Sequence, residues 1–134
     1  MSWIVLAAVF AAGTISTFTD WLFMGVLFND RYQRHPETWW PRAGNETMPI
    51  VYSSALGYVT AAAVVALCAM AGVDGIWSGI KVAFLVWLAG SFVQVATTHI
   101  WVRIDPAVSL AHGAGYLARF LIAGIAAGIA LPML

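Results

Sequence analysis

Residues 50–73, IVYSSALGYVTAAAVVALCAMAGV, contain no charged side chain. A transmembrane helix needs about 20 mainly apolar residues, because its length must match the hydrocarbon core of the bilayer. Three further apolar stretches of similar length occur near residues 4–28, 77–99 and 107–131. We therefore predict one transmembrane domain over residues 1–134, an all-α bundle with four spans.

The composition of the whole chain excludes a water-soluble domain. Of its 134 residues, 62% are hydrophobic and 9% are charged, and the formal net charge is zero. Soluble domains carry about 25% charged residues, so this chain predicts a lipid bilayer as its partner. A zero net charge leaves no basic face for nucleic acid. The single cysteine, Cys68, cannot form an intrachain disulfide or a cysteine-based zinc site, and no metal site is predicted.

The connections between the spans predict their topology. The turns at Gly72–Gly75 and Arg103–Pro106 are short, which favours an up-down-up-down bundle. Most arginines fall in the first and third connections, whereas Lys81 lies on the opposite side. Since cytoplasmic loops are enriched in Lys and Arg, these two connections are predicted to be cytoplasmic, with both termini outside.

The long first connection, residues 30–48, is predicted to lie at the membrane interface. Residues 30–35 are expected to prolong the first helix. Trp39 and Trp40 favour an aromatic anchor at headgroup depth, because tryptophan is enriched there. The other interpretation is a lid over a cavity that faces the cytoplasm.

Two charged residues are predicted to lie inside the membrane. Asp20 lies about 14 Å and Arg119 about 20 Å from the cytoplasmic end of their spans, at 1.5 Å of rise per residue. A charge in hydrocarbon costs at least about 2.5–3.5 kcal/mol, so such residues usually face a partner or a cavity. We predict that Asp20 and Arg119 form a buried ion pair.

Uncharged polar residues accompany this pair at helical spacing. On the fourth span, Ser109, His112 and Tyr116 share one face with Arg119. The third span carries Trp87, Ser91, Gln94 and Thr98, and the second adds Ser54 and Tyr58. The candidate ligand-binding residues are Asp20, Arg119, His112, Tyr116, Gln94 and Tyr58.

Two functions compete for these residues. In the first, the protein binds, or binds and transports, a small molecule or a proton: Arg119 supplies charge, Asp20 is its counter-ion or a proton carrier, and His112, Tyr116 and Gln94 form hydrogen bonds. In the second, the polar residues only join helices, and the protein is an accessory subunit of a membrane complex.

Two weaker hypotheses concern haem and catalysis. His99 and His112 raise the idea of haem ligation, although their predicted depths differ by about 9 Å. No catalytic motif occurs, so no catalytic residue is predicted, and the sequence points to no particular cofactor.

Small residues mark the expected packing faces. Gly124 and Gly128 form a Gly-x-x-x-Gly step in the last span, and Gly75 and Gly79 form another at the start of the third. Such steps let helices approach closely, either within one chain or between copies. The sequence leaves open a homo-oligomer or a larger membrane complex.

Two motifs carry a resemblance to a known family. They are Asp20-Trp21-Leu22-Phe23 in the first span, and His112-Gly113-Ala114-Gly115-Tyr116 ahead of a glycine-rich tail from Gly124 to Gly128. With them, the chain resembles a bacterial family of small four-helix integral membrane proteins of unknown function. The resemblance implies a multi-pass protein of the bacterial inner membrane, with periplasmic termini under the orientation above. Small multidrug transporters are similar in size, but they place a glutamate in the first span.

Overall fold

The computed structural model describes residues 2–38, 44 and 47–134. Within these ranges, four helices are long and apolar enough to span a membrane, and no strand is present. They are α1 (Trp3–Leu27), α3 (Thr47–Met70), α4 (Ile76–Trp101) and α5 (Pro106–Ala130), which a 3₁₀ turn extends to Met133; a short helix, α2 (Asn29–Gln33), follows α1. The predicted all-α, four-helix fold is confirmed, and its span boundaries differ from the predicted ones by one to three residues.

Local capping explains where α1 and α5 begin, and a glycine allows the turn between α3 and α4. The Ser2 hydroxyl accepts a hydrogen bond from the Ile4 backbone N–H at the start of α1. At the start of α5, Asp105 Oδ1 accepts from Ala107 N at 2.8 Å, and Pro106 occupies the first turn. The turn between α3 and α4 passes through Gly72, whose φ of +68° is a left-handed conformation that suits glycine.

The first connection differs in part from the sequence prediction. The expected helix over residues 30–35 is present only as α2, because α1 ends at Leu27 and the chain bends at Phe28. A 3₁₀ turn, Pro36–Thr38, follows α2. The predicted anchors Trp39 and Trp40 lie outside the described residues.

Helix α5 is the centre of the bundle. It packs against α1, α3 and α4, whereas α4 has α5 as its main neighbour. We call the end of the bundle with both termini and the Gly72 turn the terminal end, and the end with the other two connections the loop end. Small or β-branched side chains, among them Ala12, Ala61 and Ala127, form the apolar core.

At the terminal end, α4 and α5 meet through their glycines. A Cβ atom added at Gly124 would lie 2.5 Å from the carbonyl oxygen of Gly79 and 2.6 Å from the Cβ of Ala83. A Cβ at Gly128 would lie 2.5 Å from the carbonyl oxygen of Gly75. Both predicted Gly-x-x-x-Gly steps therefore pack against each other inside one chain.

At the loop end, α1 and α4 depart from regular α-helix. Residues Trp21–Leu27 of α1 and Leu88–Phe92 of α4 are π-helical, and neither segment contains a buried residue. Residues Ile76–Trp87 of α4 pack closely on α5, whereas Val93–Trp101 make far fewer contacts with it. The helices therefore separate towards the loop end, which leaves room for a cavity.

Candidate functional site

A cavity of about 920 Å³ lies at the loop end, between α2, the last turns of α4 and the first half of α5. Helix α4 contributes Gln94 and Thr98, and α5 contributes Ser109, His112 and Tyr116. The polar wall is completed by Arg31 and Tyr32 of α2, His35 and Glu37 of the turn after it, and Arg103 and Asp105 of the last connection. Ligand pockets typically measure about 300–1,000 Å³, so this cavity is large enough for a small organic molecule.

Aromatic rings line one wall of the cavity. The Tyr32 and His112 rings meet edge to face with centroids 5.7 Å apart, and the His112 and Tyr116 rings stack at 6.2 Å. Below them, the Arg119 guanidinium carbon lies 5.5 Å from the Tyr116 ring centroid. This distance is within the range of a cation–π contact. The three rings and the guanidinium therefore form one series of contacts from the loop end to Arg119.

Behind this wall, Arg119 donates a hydrogen bond from Nη2 to Asp20 Oδ2 and forms an ion pair with it. The pair predicted from depth is therefore present. The side chain of Arg119 is 10% exposed and that of Asp20 is 19% exposed. Three buried polar atoms here, Ser16 Oγ, Asp20 Oδ1 and Arg119 Nε, have no hydrogen-bond partner among the described residues. Neither charged residue lines the cavity, so the pair supports the wall from behind.

The structure separates the six candidate residues into three groups. Gln94, His112 and Tyr116 line the cavity. Asp20 and Arg119 form the ion pair behind Tyr116. Tyr58 lies apart from both, at the contact between α1 and α3, where its hydroxyl and that of Thr14 are 3.0 Å apart.

The polar residues of α4 do not form one continuous stripe. The Trp87 indole N–H donates to the carbonyl oxygen of Gly113 at 3.1 Å and so joins α4 to α5. Ser91 does not line the cavity, whereas Gln94 and Thr98 do. The π-helical segment lies between Trp87 and Gln94, and its wider turns change the spacing on which the predicted stripe depends.

The two histidines of the haem hypothesis have separate neighbours. His99 Nδ1 lies 3.0 Å from the Ser109 hydroxyl, whereas His112 contacts Tyr32 and Tyr116 through its ring. Among the described residues, no group of three or more His, Cys, Asp or Glu side chains could hold a metal ion.

Burial and hydrogen bonds shift two pKa values at the loop end, and two charged groups there lie close together. Burial, helped by the neighbouring Tyr116, raises the pKa of Tyr32 to about 12, so its phenol stays protonated near neutral pH. Hydrogen bonds from its own backbone N–H and from His35 lower the pKa of the exposed Glu37. The Asp105 carboxylate caps α5 and lies 3.9 Å from Arg31 Nη1.

Sequence reasoning did not select Arg31, Tyr32 or Arg103 as site residues. The two arginines served only as markers of membrane orientation, and Tyr32 fell among the residues expected only to prolong the first helix. A turn of chain that folds over α5 leaves no periodic signal in the sequence, because only regular elements repeat their facing positions.

Comparison of the chain with protein-family models, curated proteins and solved structures finds no match. The resemblance to small four-helix bacterial membrane proteins therefore stays a prediction. The described helices are those of a multi-pass membrane protein.

Proposed function

We propose that this protein binds a small polar molecule inside the membrane boundary, in the cavity at its loop end. The observation that carries the proposal is the cavity of about 920 Å³, with polar side chains on every segment around it, in a chain that is only 9% charged. Polar groups near the ends of apolar spans need water, a partner or a ligand. Side chains that only joined helices would contact each other rather than surround a space of this size.

Three of the candidate residues have a direct part in binding. Gln94, His112 and Tyr116 present an amide, an imidazole and a phenol to the cavity, and each can donate a hydrogen bond. Arg119 acts indirectly, because its guanidinium supports the ring of Tyr116. Asp20 balances the charge of Arg119, so that the guanidinium is tolerated at this depth.

The cavity supports binding more directly than passage across the membrane. At the terminal end, the path between α4 and α5 is filled by the close contact of Gly79 and Gly124. We place the loop end in the cytoplasm, because Arg31, Arg34 and Arg103 lie there and Lys81 does not. On this orientation and the resemblance above, the protein is an inner-membrane protein that takes its ligand from the cytoplasmic side.

The accessory-subunit hypothesis loses one of its arguments. The glycine steps could have served contacts in a larger membrane complex, but they are occupied within the chain by the contact between α4 and α5. The polar contact of Tyr58 with Thr14 does join two helices, as that hypothesis requires. A ligand site and a few such contacts are compatible in one bundle.

Native mass spectrometry of the protein purified in mild detergent tests the proposal. We expect extra mass from a retained small molecule on the wild-type chain. Thr98→Trp should remove it, because the indole would fill the cavity that Thr98 lines. Thr97→Trp is the matched control, since Thr97 is exposed and is not part of the cavity wall.

The outcomes separate the two functions. Loss of the extra mass in Thr98→Trp, with retention in Thr97→Trp, supports binding in the cavity. A wild-type protein without added mass, or a second polypeptide that remains bound to it, contradicts the proposal and favours an accessory subunit.

A further inference from the structure

In the cavity wall, the acidic and the basic side chains differ in the hydrogen bonds that they make to other described residues. Among the described residues of the wall, both carboxylates already accept hydrogen bonds: Asp105 from Ala107 N at 2.8 Å, and Glu37 at 3.1 Å from His35 Nδ1. The two guanidinium groups of the wall, on Arg31 and Arg103, donate none to the other described residues. The unused hydrogen-bond donors of the wall therefore include both of these guanidinium groups.

Arg31 forms ion pairs with two acids but makes no hydrogen bond with either. Its Nε lies 3.6 Å from Asp30 Oδ2, and its Nη1 lies 3.9 Å from Asp105 Oδ2. Both distances are too long for hydrogen bonds, which need about 2.7–3.2 Å between nitrogen and oxygen. Arg103 forms no ion pair with another described residue. A guanidinium carries several N–H donors and no acceptor, so both groups remain available to an oxyanion.

The neutral groups of the wall also offer donors. Gln94 and Thr98, one turn apart on α4, make no side-chain hydrogen bond to the rest of the described chain. Val95, Ile104 and Val108 add apolar surface to the same wall. The wall therefore combines cations near the connections with a mixed polar and apolar interior.

The depth of Arg31 and Arg103 in the membrane favours a phosphate as the anion that they bind. Arg103 lies between the end of α4 at Trp101 and the start of α5 at Pro106, and Arg31 lies just beyond the end of α1 at Leu27. Both are therefore at the level where the apolar spans end and lipid phosphates begin. Guanidinium groups match the geometry of phosphate oxygens and can bind them in bidentate fashion.

Resting on the proposed function, we propose that the cavity binds a phosphate ester whose phosphate group is held by Arg31 and Arg103. The phosphate contacts both guanidinium groups, and the rest of the molecule extends towards Gln94 and His112. The phosphate belongs either to a membrane lipid or to a soluble ester. The two sources share the same recognition chemistry.

Binding assays in uncharged detergent test this assignment and its source. Phosphatidylglycerol is the lipid probe, with diacylglycerol as its phosphate-free comparator, and its retention is read by native mass spectrometry. Glycerol 3-phosphate is the soluble probe, with glycerol as comparator, and its effect is read as a shift in thermal unfolding. We expect one probe to bind and its comparator not to bind.

The Arg31→Gln/Arg103→Gln double variant should weaken that binding about tenfold or more, which corresponds to about 1.4 kcal/mol. Arg34→Gln is the matched control, because Arg34 is on the same side of the membrane but does not line the cavity. Both substituted residues lie near the surface, so the variants should fold, and Arg103→Lys should retain part of the binding.

Each outcome decides the assignment. Arginine-dependent binding of either probe supports it and names the source. The absence of binding by both probes, or binding that the double variant leaves unchanged, overturns it. If wild-type protein retains a molecule that Thr98→Trp loses but Arg31→Gln/Arg103→Gln keeps, the small-molecule site stands and only the phosphate assignment fails.

Discussion

The terminal end and the loop end of the bundle use the same two helices in opposite ways. At the terminal end, the backbones of α4 and α5 are in contact at Gly79 and Gly124, with no room for a single added carbon. At the loop end, α4 and α5 enclose a polar cavity of about 920 Å³ with α2. Two helix backbones can approach closely only where their residues are small. At the loop end, α4 and α5 carry the larger residues His112, Tyr116 and Gln94 instead.

The change between the two ends coincides with the π-helical segments. In α4 the segment starts directly after Trp87, whose indole makes a hydrogen bond to α5; in α1 it starts directly after Asp20, whose carboxylate pairs with α5. Each helix is therefore tied to α5 by one polar contact immediately before it departs from regular geometry. Such segments frequently occur at functional sites. We infer that these contacts keep the terminal end closed while the loop end stays open.

The largest expected effect comes from breaking the ion pair that ties α1 to α5. Arg119→Leu should lower the free energy of unfolding by about 3–5 kcal/mol, because it leaves Asp20 as a buried charge without a partner. Asp20→Leu/Arg119→Leu removes both charges and should recover most of that loss. Unfolding in mixed detergent and denaturant measures both.

The exposed pair of Arg34 and Asp30, 3.3 Å apart, is the control for this prediction. Arg34→Leu should change the free energy of unfolding by at most about 1 kcal/mol, as is usual for surface pairs. If the double variant at residues 20 and 119 is as unstable as Arg119→Leu, the pair does not act through its charges.

The fold could be predicted from the sequence because one physical quantity determines it. A helix must be apolar over the thickness of the membrane, so the four spans follow from hydropathy, and their ends from residues such as Asp105 and Pro106. The pairing of Asp20 with Arg119 followed from depth alone, because a lone charge in hydrocarbon is so unfavourable that a partner at similar depth is expected.

The cavity could not be predicted in the same way. It depends on α2 folding over α5 and on the divergence of α4 after residue 92, and neither leaves a periodic pattern. Helical spacing grouped Tyr58 with the candidate ligand-binding residues, but spacing gives only the face of a helix and not the neighbour of that face. The structure places Tyr58 against Thr14.

A smaller effect is expected from filling the contact at the terminal end. Gly124→Ala should lower the free energy of unfolding by about 1–3 kcal/mol, because the new methyl group would meet the backbone of Gly79 and the Cβ of Ala83. Gly90→Ala is the matched control. It adds the same group to α4 where, apart from the helix's own backbone and the adjacent residues, no atom of the described chain lies within 4 Å, so it should be neutral or slightly stabilising. Equal destabilisation by both variants would contradict a closed terminal end.

The smallest effect concerns the ionisation of Tyr32 at the loop end. Tyr32 has a folded-state pKa of about 12, above its ordinary value of 10.0. A raised pKa favours the protonated form, so the contribution of Tyr32 to stability is complete below pH 10 and is lost as the pH rises towards 12. An ultraviolet titration should therefore show a tyrosine ionising at about pH 12 in the wild type.

Tyr32→Phe should remove that step, whereas Tyr52→Phe, which alters an exposed residue of α3, should leave it in place. The step depends on the loop end excluding bulk water from the phenol, because desolvation is the main cause of the raised pKa. Thr98→Trp, which fills the cavity, should not lower it. A wild-type titration without a step near pH 12 would mean that water reaches Tyr32 freely, and the loop end would then be an open vestibule.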